Sequence, residues 1–173
     1  MDFITVPYDK SVDRKSFDCG LHPALNMYIS QQATQDEKRN VSRTFMLLED
    51  GKLVGYYTLA NASVVESDLS EEQMKKMPRY PMPAVLLSRL AVDKSQQGQG
   101  VGKRLMADFF RRVYEISMHS GVAFVIVDAK DSEAARYYRS LSFVETNTSP
   151  LRLALSTGTL IQGFIALSAK QAD

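Results

Sequence analysis

The sequence has little of what disulfide and metal sites are built from. Its 173 residues include one cysteine, Cys19, two histidines, His22 and His119, and no tryptophan. A single cysteine excludes a disulfide within the chain and suits a reducing compartment, so we expect a cytoplasmic protein. Two histidines cannot build a histidine-rich site, and we expect no bound metal.

The chain also lacks long apolar runs and a strong charge of either sign. No run approaches the roughly 20 apolar residues of a membrane helix, and the N-terminal MDFITVPYDK lacks the apolar stretch of a signal peptide. We therefore expect no membrane association. With 21 Lys and Arg against 20 Asp and Glu, the formal net charge is +1. No global field indicates a nucleic-acid partner, although a local basic face stays compatible with one.

Length and composition are those of one ordinary globular domain. The hydrophobic share is 45% and the charged share 24%, and no repeat or low-complexity linker divides the chain. We expect a single domain over residues 1–173. Its end, residues 158–173, is an apolar extension that the pattern leaves open as a strand, a helix or part of an oligomer contact.

Periodicity and turn signals predict a mixed α/β (α+β) fold. Asp50-Gly51 is a strong hairpin signal between two strand-like runs. The expected architecture is a mixed central sheet with antiparallel N-terminal hairpin strands and flanking helices. The predicted strands are 2–6, 43–49, 52–65, 84–92, 122–129 and 151–156, and the predicted helices are 21–34, 69–77, 103–119 and 132–141.

A glycine-rich turn lies between the strand 84–92 and the helix 103–119. It reads Gln-Gly-Gln-Gly-Val-Gly over residues 97–102. Glycines let the backbone approach a ligand closely, and the first N–H groups of the following helix attract an anion, so the turn predicts a phosphate site. A Walker A loop is excluded because Arg104 follows Lys103 where a hydroxyl is needed. The dinucleotide fingerprint is excluded because the third glycine comes one residue early.

Two blocks resemble the GNAT superfamily of N-acetyltransferases. Residues 97–102 fit Q/R-x-x-G-x-G/A, the acetyl-CoA pyrophosphate loop of that family. Residues 131–143 resemble its later motif N-x-x-A-x-x-F-Y-x-x-x-G-F, with Asp131 in place of the frequent Asn and Ser142 in place of the usual Gly. The resemblance implies the GNAT fold, a single acetyltransferase domain and acetyl-CoA as cosubstrate.

Further blocks are similar to the TacT-type tRNA-acetylating toxins of type II toxin–antitoxin systems. They are Arg-Leu-Ala-Val-Asp over residues 89–93, Ser-Arg-Thr-Phe over 42–45 and Val-Gly-Tyr-Tyr-Thr-Leu-Ala over 54–60. The resemblance implies acetylation of the α-amino group of aminoacyl-tRNA and a block of translation. It also implies a homodimer and a ribbon-helix-helix antitoxin as partner.

The same resemblance assigns the site residues. Tyr138 takes the position of the catalytic tyrosine, which protonates the leaving thiolate, and its neighbour Tyr137 is expected to pack on the core. The backbone N–H near Val92 is the expected oxyanion donor. The implied cofactor-binding residues are Leu90, Ala91, Val92, Gln97, Gly98, Gln99, Gly100, Val101, Gly102, Lys103, Asp131 and Ala134.

A general base is not conspicuous, and Glu145 is only a weak candidate. A lysine amine of pKa about 10.4 needs such a base, whereas an α-amine of about 7.7–8.0 is substantially neutral at physiological pH. The missing base therefore favours an α-amine acceptor. A tRNA acceptor also requires phosphate contacts, and the candidate cations are Arg43, Arg89, Arg136 and Arg139.

Two alternatives stay open at this point. One is a GNAT enzyme that acetylates a small amine, a polyamine, an antibiotic or a protein N-terminus. The other is a non-catalytic acyl-CoA sensor or binding module, which the glycine turn and Tyr138 disfavour.

Overall fold

A computed structural model describes residues 2–171 of the chain, and the side chains of residues 2–165. The helices are α1 (Pro23–Met27), α2 (Ala33–Lys38), α3 (Glu71–Met74), α4 (Val101–Ser117), α5 (Ser132–Ser140) and α6 (Thr157–Gln171). The strands are β1 (Val6–Pro7), β2 (Arg43–Glu49), β3 (Lys52–Val64), β4 (Met82–Val92), β5 (Phe124–Asp128), β6 (Val144–Glu145) and β7 (Arg152–Ser156).

The strands form one sheet in the order β1-β2-β3-β4-β5-β7-β6. The β1–β2, β2–β3, β5–β7 and β6–β7 pairs are antiparallel. This confirms the predicted mixed α/β fold. The chain forms two compact units, one with the residues up to Ala60 and Leu87–Arg111, the other with Asn61–Leu86 and the residues from Arg112 onward.

The β2–β3 hairpin of the first unit matches its prediction closely. Pairing runs from Arg43 opposite Leu59 to Glu49 opposite Lys52. Asp50 and Gly51 have φ angles of 50° and 76°. Two successive positive φ angles define the two-residue turn that Asp-Gly favours.

The first helix departs from the single helix predicted over 21–34. It begins at Pro23, passes through a π-helical turn at Tyr28–Gln32 and continues as α2 to Lys38. In that turn the Ala33 N–H donates to the Tyr28 carbonyl, five residues back. The wider turn keeps Tyr28, Ile29 and Ala33 together in one buried cluster, an arrangement that a search for the 3.6-residue period does not detect.

The first strand is shorter than the predicted 2–6. Only Val6 and Pro7 pair with β2. Before them, the Ile4 N–H donates to Asp108 Oδ1 at 2.7 Å and the Thr5 hydroxyl to Asp108 Oδ2 at 2.6 Å. Because a buried carboxylate on α4 binds these donors, the segment before Val6 leaves the sheet.

Helix α4 begins at Val101, two residues earlier than predicted. Its Leu105 and Phe109 are fully buried. A Cβ on Gly55 of β3 would lie 2.9 Å from Leu105 Cδ1 and 3.2 Å from the Ala91 carbonyl. Only glycine therefore lets α4 lie this close to the strand, and this packing places the start of α4 beside the end of β4.

The second unit is built on β5 and β7, which pair from Phe124 opposite Ser156 to Asp128 opposite Arg152. Four of the five β5 residues are buried, as the continuous apolar run predicts. Helix α3 is shorter than the predicted 69–77, because Ser70 caps it and it ends at Met74, four residues before Pro78.

The apolar extension 158–173 begins within helix α6, so of the predicted secondary structures the helix is confirmed and the strand is wrong. Leu160 is buried, and the Phe164 ring lies 5.5 Å from the Tyr114 ring. Residues 1, 172 and 173 of the predicted domain lie outside the described residues. In the described part of the chain, no helix is long and apolar enough to cross a membrane.

Candidate active site

The glycine turn joins β4 to α4 within the first unit. Gly98 and Gly100 have φ angles of +76° and +80°, and a Cβ on either would meet nothing within 4 Å. These two glycines are therefore required by backbone conformation, and open space lies beside them. Gly102 is different, since it lies in the first turn of α4 without a positive φ, and its Cβ would lie 3.9 Å from Val92 Cγ2.

The N-terminus of α4 offers an electrostatically favourable end for an anion. Its first N–H groups have no acceptor within the helix, and the first turn contains no acidic residue. Lys103 and Arg104 are exposed there, and Arg104 lies 3.5 Å from Glu49. This end of the helix and the open space at the glycines suit a pyrophosphate.

The side-chain amide of Gln97 donates hydrogen bonds to backbone carbonyls of the chain and does not point into the open space. Its Nε2 donates to the Val92 carbonyl at 3.0 Å and to the Cys19 carbonyl at 2.9 Å. Gln99 Nε2 donates to the Ser95 carbonyl at 3.1 Å. What these two residues can offer an anion is therefore their backbone N–H.

The end of β4 leads directly into this turn. Ala91 is buried, whereas Leu90 and Val92 are half-buried. Arg89 stacks over the ring of Tyr28, with its guanidinium carbon 3.6 Å from the ring centroid, and Val92 lies beside Gly102 of α4. Arg89 and Val92 thus contact different helical segments, as expected for side chains three residues apart on a strand, which point to opposite faces of the sheet.

In the second unit, Asp131 and Ala134 form the N-terminal cap of α5. The Asp131 carboxylate accepts the Ala134 N–H at 2.7 Å. The substitution of Asp for the usual Asn at this position therefore keeps a capping oxygen.

Tyr138 is placed by the C-terminal end of the same helix. The Phe143 N–H donates to the Tyr138 carbonyl at 3.2 Å, and the Ser142 N–H to the Arg139 carbonyl at 3.0 Å. This is a Schellman motif, which requires a left-handed residue at Ser142, and its φ is 72°. The Phe143 and Tyr138 rings complete the motif with centroids 5.7 Å apart.

Both tyrosines are largely covered. Tyr138 is 8% exposed, and its ring packs against Phe143. Tyr137, predicted to pack on the core, is half-buried, and its hydroxyl is buried without a hydrogen-bond partner among the described residues. Burial raises the pKa of the Tyr138 hydroxyl above its ordinary value, and in the described residues this hydroxyl has no hydrogen-bond partner.

The four candidate tRNA-binding arginines have different surroundings. Arg43 bonds to Glu37 at 2.9 Å, and Arg139 forms an ion pair with Glu145, the weak candidate base. Arg89 is half-buried on Tyr28, and Arg136 is exposed. Of the side chains described, neither Arg89 nor Arg136 has a carboxylate partner, so their charges are the ones available to a ligand.

Sequence reasoning missed the residues that hold the glycine turn in place. Asp18 and Asn26, far away in the chain, bond to each other and to the segment that Gln97 contacts. The sequence hardly indicates this role, because polar residues such as Asp18 are common in turns before a helix and Asn26 is one polar residue within α1. No cluster of His, Cys, Asp or Glu in the described residues could hold a metal ion.

A sheet whose strand β4 leads through a glycine-rich turn into the N-terminus of α4 suits an acyltransferase that uses an acyl-CoA. The sequence model of the family described as "Acetyltransferase (GNAT) domain" matches residues 40–145. The chain belongs to this family and is an acetyltransferase that uses acetyl-CoA.

Individual proteins similar to this chain include tRNA-acetylating toxins. The chain is 36% identical to a tRNA-acetylating toxin of Mycobacterium tuberculosis (strain ATCC 25618 / H37Rv) over 143 residues. This match covers 83% of this chain and 85% of that protein. AtaT complexed with acetyl-methionyl-tRNAfMet superposes with a TM-score of 0.85 at 29% identity, covering 94% of this chain and 99% of that chain. A mutant of the AtaT toxin, bound to the C-terminus of the antitoxin AtaR and to acetyl-CoA, superposes with a TM-score of 0.78 at 26% sequence identity. The match covers 95% of this chain and 99% of that chain.

Proposed function

We propose that this chain transfers the acetyl group of acetyl-CoA to the α-amino group of aminoacyl-tRNA and thereby blocks translation. The similarity to a tRNA-acetylating toxin over 83% of the chain carries this conclusion. The likeness to AtaT in complex with its acetylated tRNA supports it independently. The protein would act in the cytoplasm, where charged tRNA is found.

The glycine turn holds the cosubstrate. Backbone N–H groups of residues 97–102 and the first turn of α4 bind the pyrophosphate, and Lys103 adds a positive charge. Leu90, Ala91 and Val92 line the pantetheine arm in the manner of an added strand. The resemblance to the family also assigns cofactor binding to Asp131 and Ala134 at the cap of α5. The open space beside Gly98 and Gly100 supports this assignment.

Tyr138 supplies the proton that the reaction needs. The neutral amine attacks the thioester carbonyl, the C–N bond forms and the C–S bond breaks, and the thiolate takes the phenolic proton. The nitrogen releases one proton to solvent as the amide forms, and the phenolate takes one back from solvent. Burial raises the pKa of the Tyr138 hydroxyl, so this group is protonated at neutral pH, and its place in the family motif supports the acid role. The N–H near Val92 stabilises the oxyanion, a role typically worth about 100- to 1,000-fold in rate.

The acceptor is an α-amine with a low pKa, so the reaction does not require a strong general base. Glu145 is engaged by Arg139, which supports the view that it is not that base. Arg89 and Arg136 contact tRNA phosphates, with Arg43 and Arg139 as secondary contacts because both are already paired.

A ribbon-helix-helix antitoxin is the proposed protein partner, and the active form is a homodimer. The AtaT structure with the C-terminus of its antitoxin supports the first point. Co-expression of a cognate ribbon-helix-helix protein should restore growth of cells that express this chain.

The decisive experiment is transfer of labelled acetyl from acetyl-CoA to charged tRNA. Deacylated tRNA and a panel of free amines serve as acceptor controls, and Tyr138→Phe serves as the enzyme control. Label on charged tRNA alone, reduced about 100- to 10,000-fold in the variant, establishes the function and the acid together. Label on a free amine with none on tRNA would instead make this chain a small-molecule acetyltransferase.

A further inference from the structure

The residues that follow β4 are tied to the segment that precedes α1, 75 or more positions earlier in the chain. The Asp18 N–H donates to Asp93 Oδ2 at 3.0 Å, and the Lys94 N–H donates back to the Asp18 carbonyl at 2.8 Å. Lys94 Nζ lies 2.7 Å from Asp18 Oδ2. Gln97 then bonds to the Cys19 carbonyl. We call this set of contacts the loop clamp.

The clamp is itself held by Asn26 of α1. Asn26 Nδ2 donates to Asp18 Oδ1 at 2.9 Å, and Asn26 Oδ1 accepts the Cys19 N–H at 2.8 Å. Hydrogen bonds from Lys94, the Gly20 N–H and Asn26 lower the pKa of Asp18 to about 2. The carboxylate is therefore ionised at physiological pH and keeps all of these donors.

The glycine turn is exposed at residues 97–100, so hydrogen bonds at its base can contribute to holding it. Gly98 and Gly100 have left-handed φ angles, and no heavy atom would lie within 4 Å of a Cβ on either. Glycines without neighbours have the largest backbone freedom, so a ligand would have to order them as it binds. Hydrogen bonds at the residues before them restrict that freedom in advance.

Gln97 is the contact closest to the turn. Both of its partners are carbonyl oxygens, so only its amide NH2 can face them, and it donates to Val92 and Cys19 at once. Arginine, the other residue that the family pattern allows here, also carries several N–H donors. The common property of the two residue types is thus donation to backbone carbonyls.

From this geometry we infer that Gln97 and Asp18 are positioning residues for pyrophosphate binding. They act through the backbone, by holding the glycine turn against the end of β4 and the segment before α1. The inference rests on the proposed function, because it takes residues 97–102 as the pyrophosphate loop. It differs from a ligand contact in that neither side chain touches the cosubstrate.

The test compares Gln97→Met, which keeps the size but removes both donors, with Gln97→Arg, which keeps donors. Gln96→Met is the matched control, since among the described residues the Gln96 side chain has no hydrogen-bond partner. Calorimetry measures the Kd for coenzyme A. A second assay measures acetyl transfer from S-acetyl-pantetheine, which lacks the pyrophosphate, and thermal unfolding checks the fold.

We expect Gln97→Met and Asp18→Ala to raise the Kd for coenzyme A about tenfold, the size of one or two hydrogen bonds. Gln97→Arg should restore binding and Gln96→Met should match the wild type. In Gln97→Met and Asp18→Ala, transfer from S-acetyl-pantetheine should fall less than transfer from acetyl-CoA. Unchanged coenzyme A binding in Gln97→Met overturns the inference. An equal loss of the transfer rate with acetyl-CoA and with S-acetyl-pantetheine overturns it as well. Failure of the wild type to bind coenzyme A would instead overturn the proposed function.

Discussion

The carboxylate of Asp108 on α4 accepts a hydrogen bond from the Tyr57 hydroxyl of β3 at 2.7 Å. Both residues are buried, Asp108 at 5% and Tyr57 at 0% exposure. The same carboxylate accepts the Ile4 N–H and the Thr5 hydroxyl. One acid therefore joins the N-terminal segment, the hairpin and the helix that begins at the glycine turn.

This arrangement predicts a large loss of stability on removing the acid. Asp108→Ala leaves buried donors without their acceptor, and we expect the free energy of unfolding to fall by about 3 kcal/mol or more. Tyr57→Phe removes only one donor and should cost about 1 kcal/mol. Urea unfolding measures both, and a double-mutant cycle should show coupling between them. Additive losses would show that the Asp108–Tyr57 bond contributes nothing by itself.

Ser142 predicts a gain of stability. It occupies the left-handed position of the Schellman motif with a φ of 72°, which is strained for a residue with a Cβ. Ser142→Gly should therefore raise the free energy of unfolding by about 0.5–1 kcal/mol. Ser142→Val should lower both stability and kcat, because it disturbs the Phe143 contact that places Tyr138. Thermal unfolding without a gain in the glycine variant would contradict this account.

The parts of the fold that could be predicted are those in which local and global preferences agree. Asp50-Gly51 predicts its hairpin because the turn chemistry matches the strand twist. The glycine turn could likewise be predicted, since Gly98 and Gly100 both adopt φ angles that favour glycine. Helix caps at Ser70 and Asp131 are equally local.

The parts that could not be predicted depend on partners distant in the chain. The contacts of Asp108 with Ile4 and Thr5 span more than 100 positions, and no periodicity indicates them. The π-helical turn at Tyr28–Gln32 changes the helical period locally. Which candidate arginines are already paired is likewise set by tertiary structure, as with Arg43 and Glu37.

The pH dependence of the rate should follow the acceptor amine and not Tyr138. Burial raises the pKa of Tyr138 above its ordinary value of 10.0, so its acid form persists to higher pH than that of a free tyrosine. The rate should rise as the α-amine loses its proton near pH about 8 and then stay level to about pH 9. Initial rates of acetyl transfer between pH 6 and 9 measure this. A falling limb below pH 9 that disappears in Tyr138→Phe would contradict the raised pKa of Tyr138.

The surroundings of the arginines predict which of them bind tRNA. Arg136 is exposed, whereas Arg139, three residues later on α5, forms an ion pair with Glu145. Arg136→Gln should therefore weaken tRNA binding and reduce the slope of log Kd against log salt by about 1, the signature of one lost phosphate contact. Arg139→Gln is the matched control and should change the slope less, because its charge is already neutralised locally. Titrations of tRNA at several salt concentrations measure both slopes. Equal slopes in the wild type and in Arg136→Gln would show that this arginine makes no phosphate contact, and the basic surface would then have to be sought at Arg89.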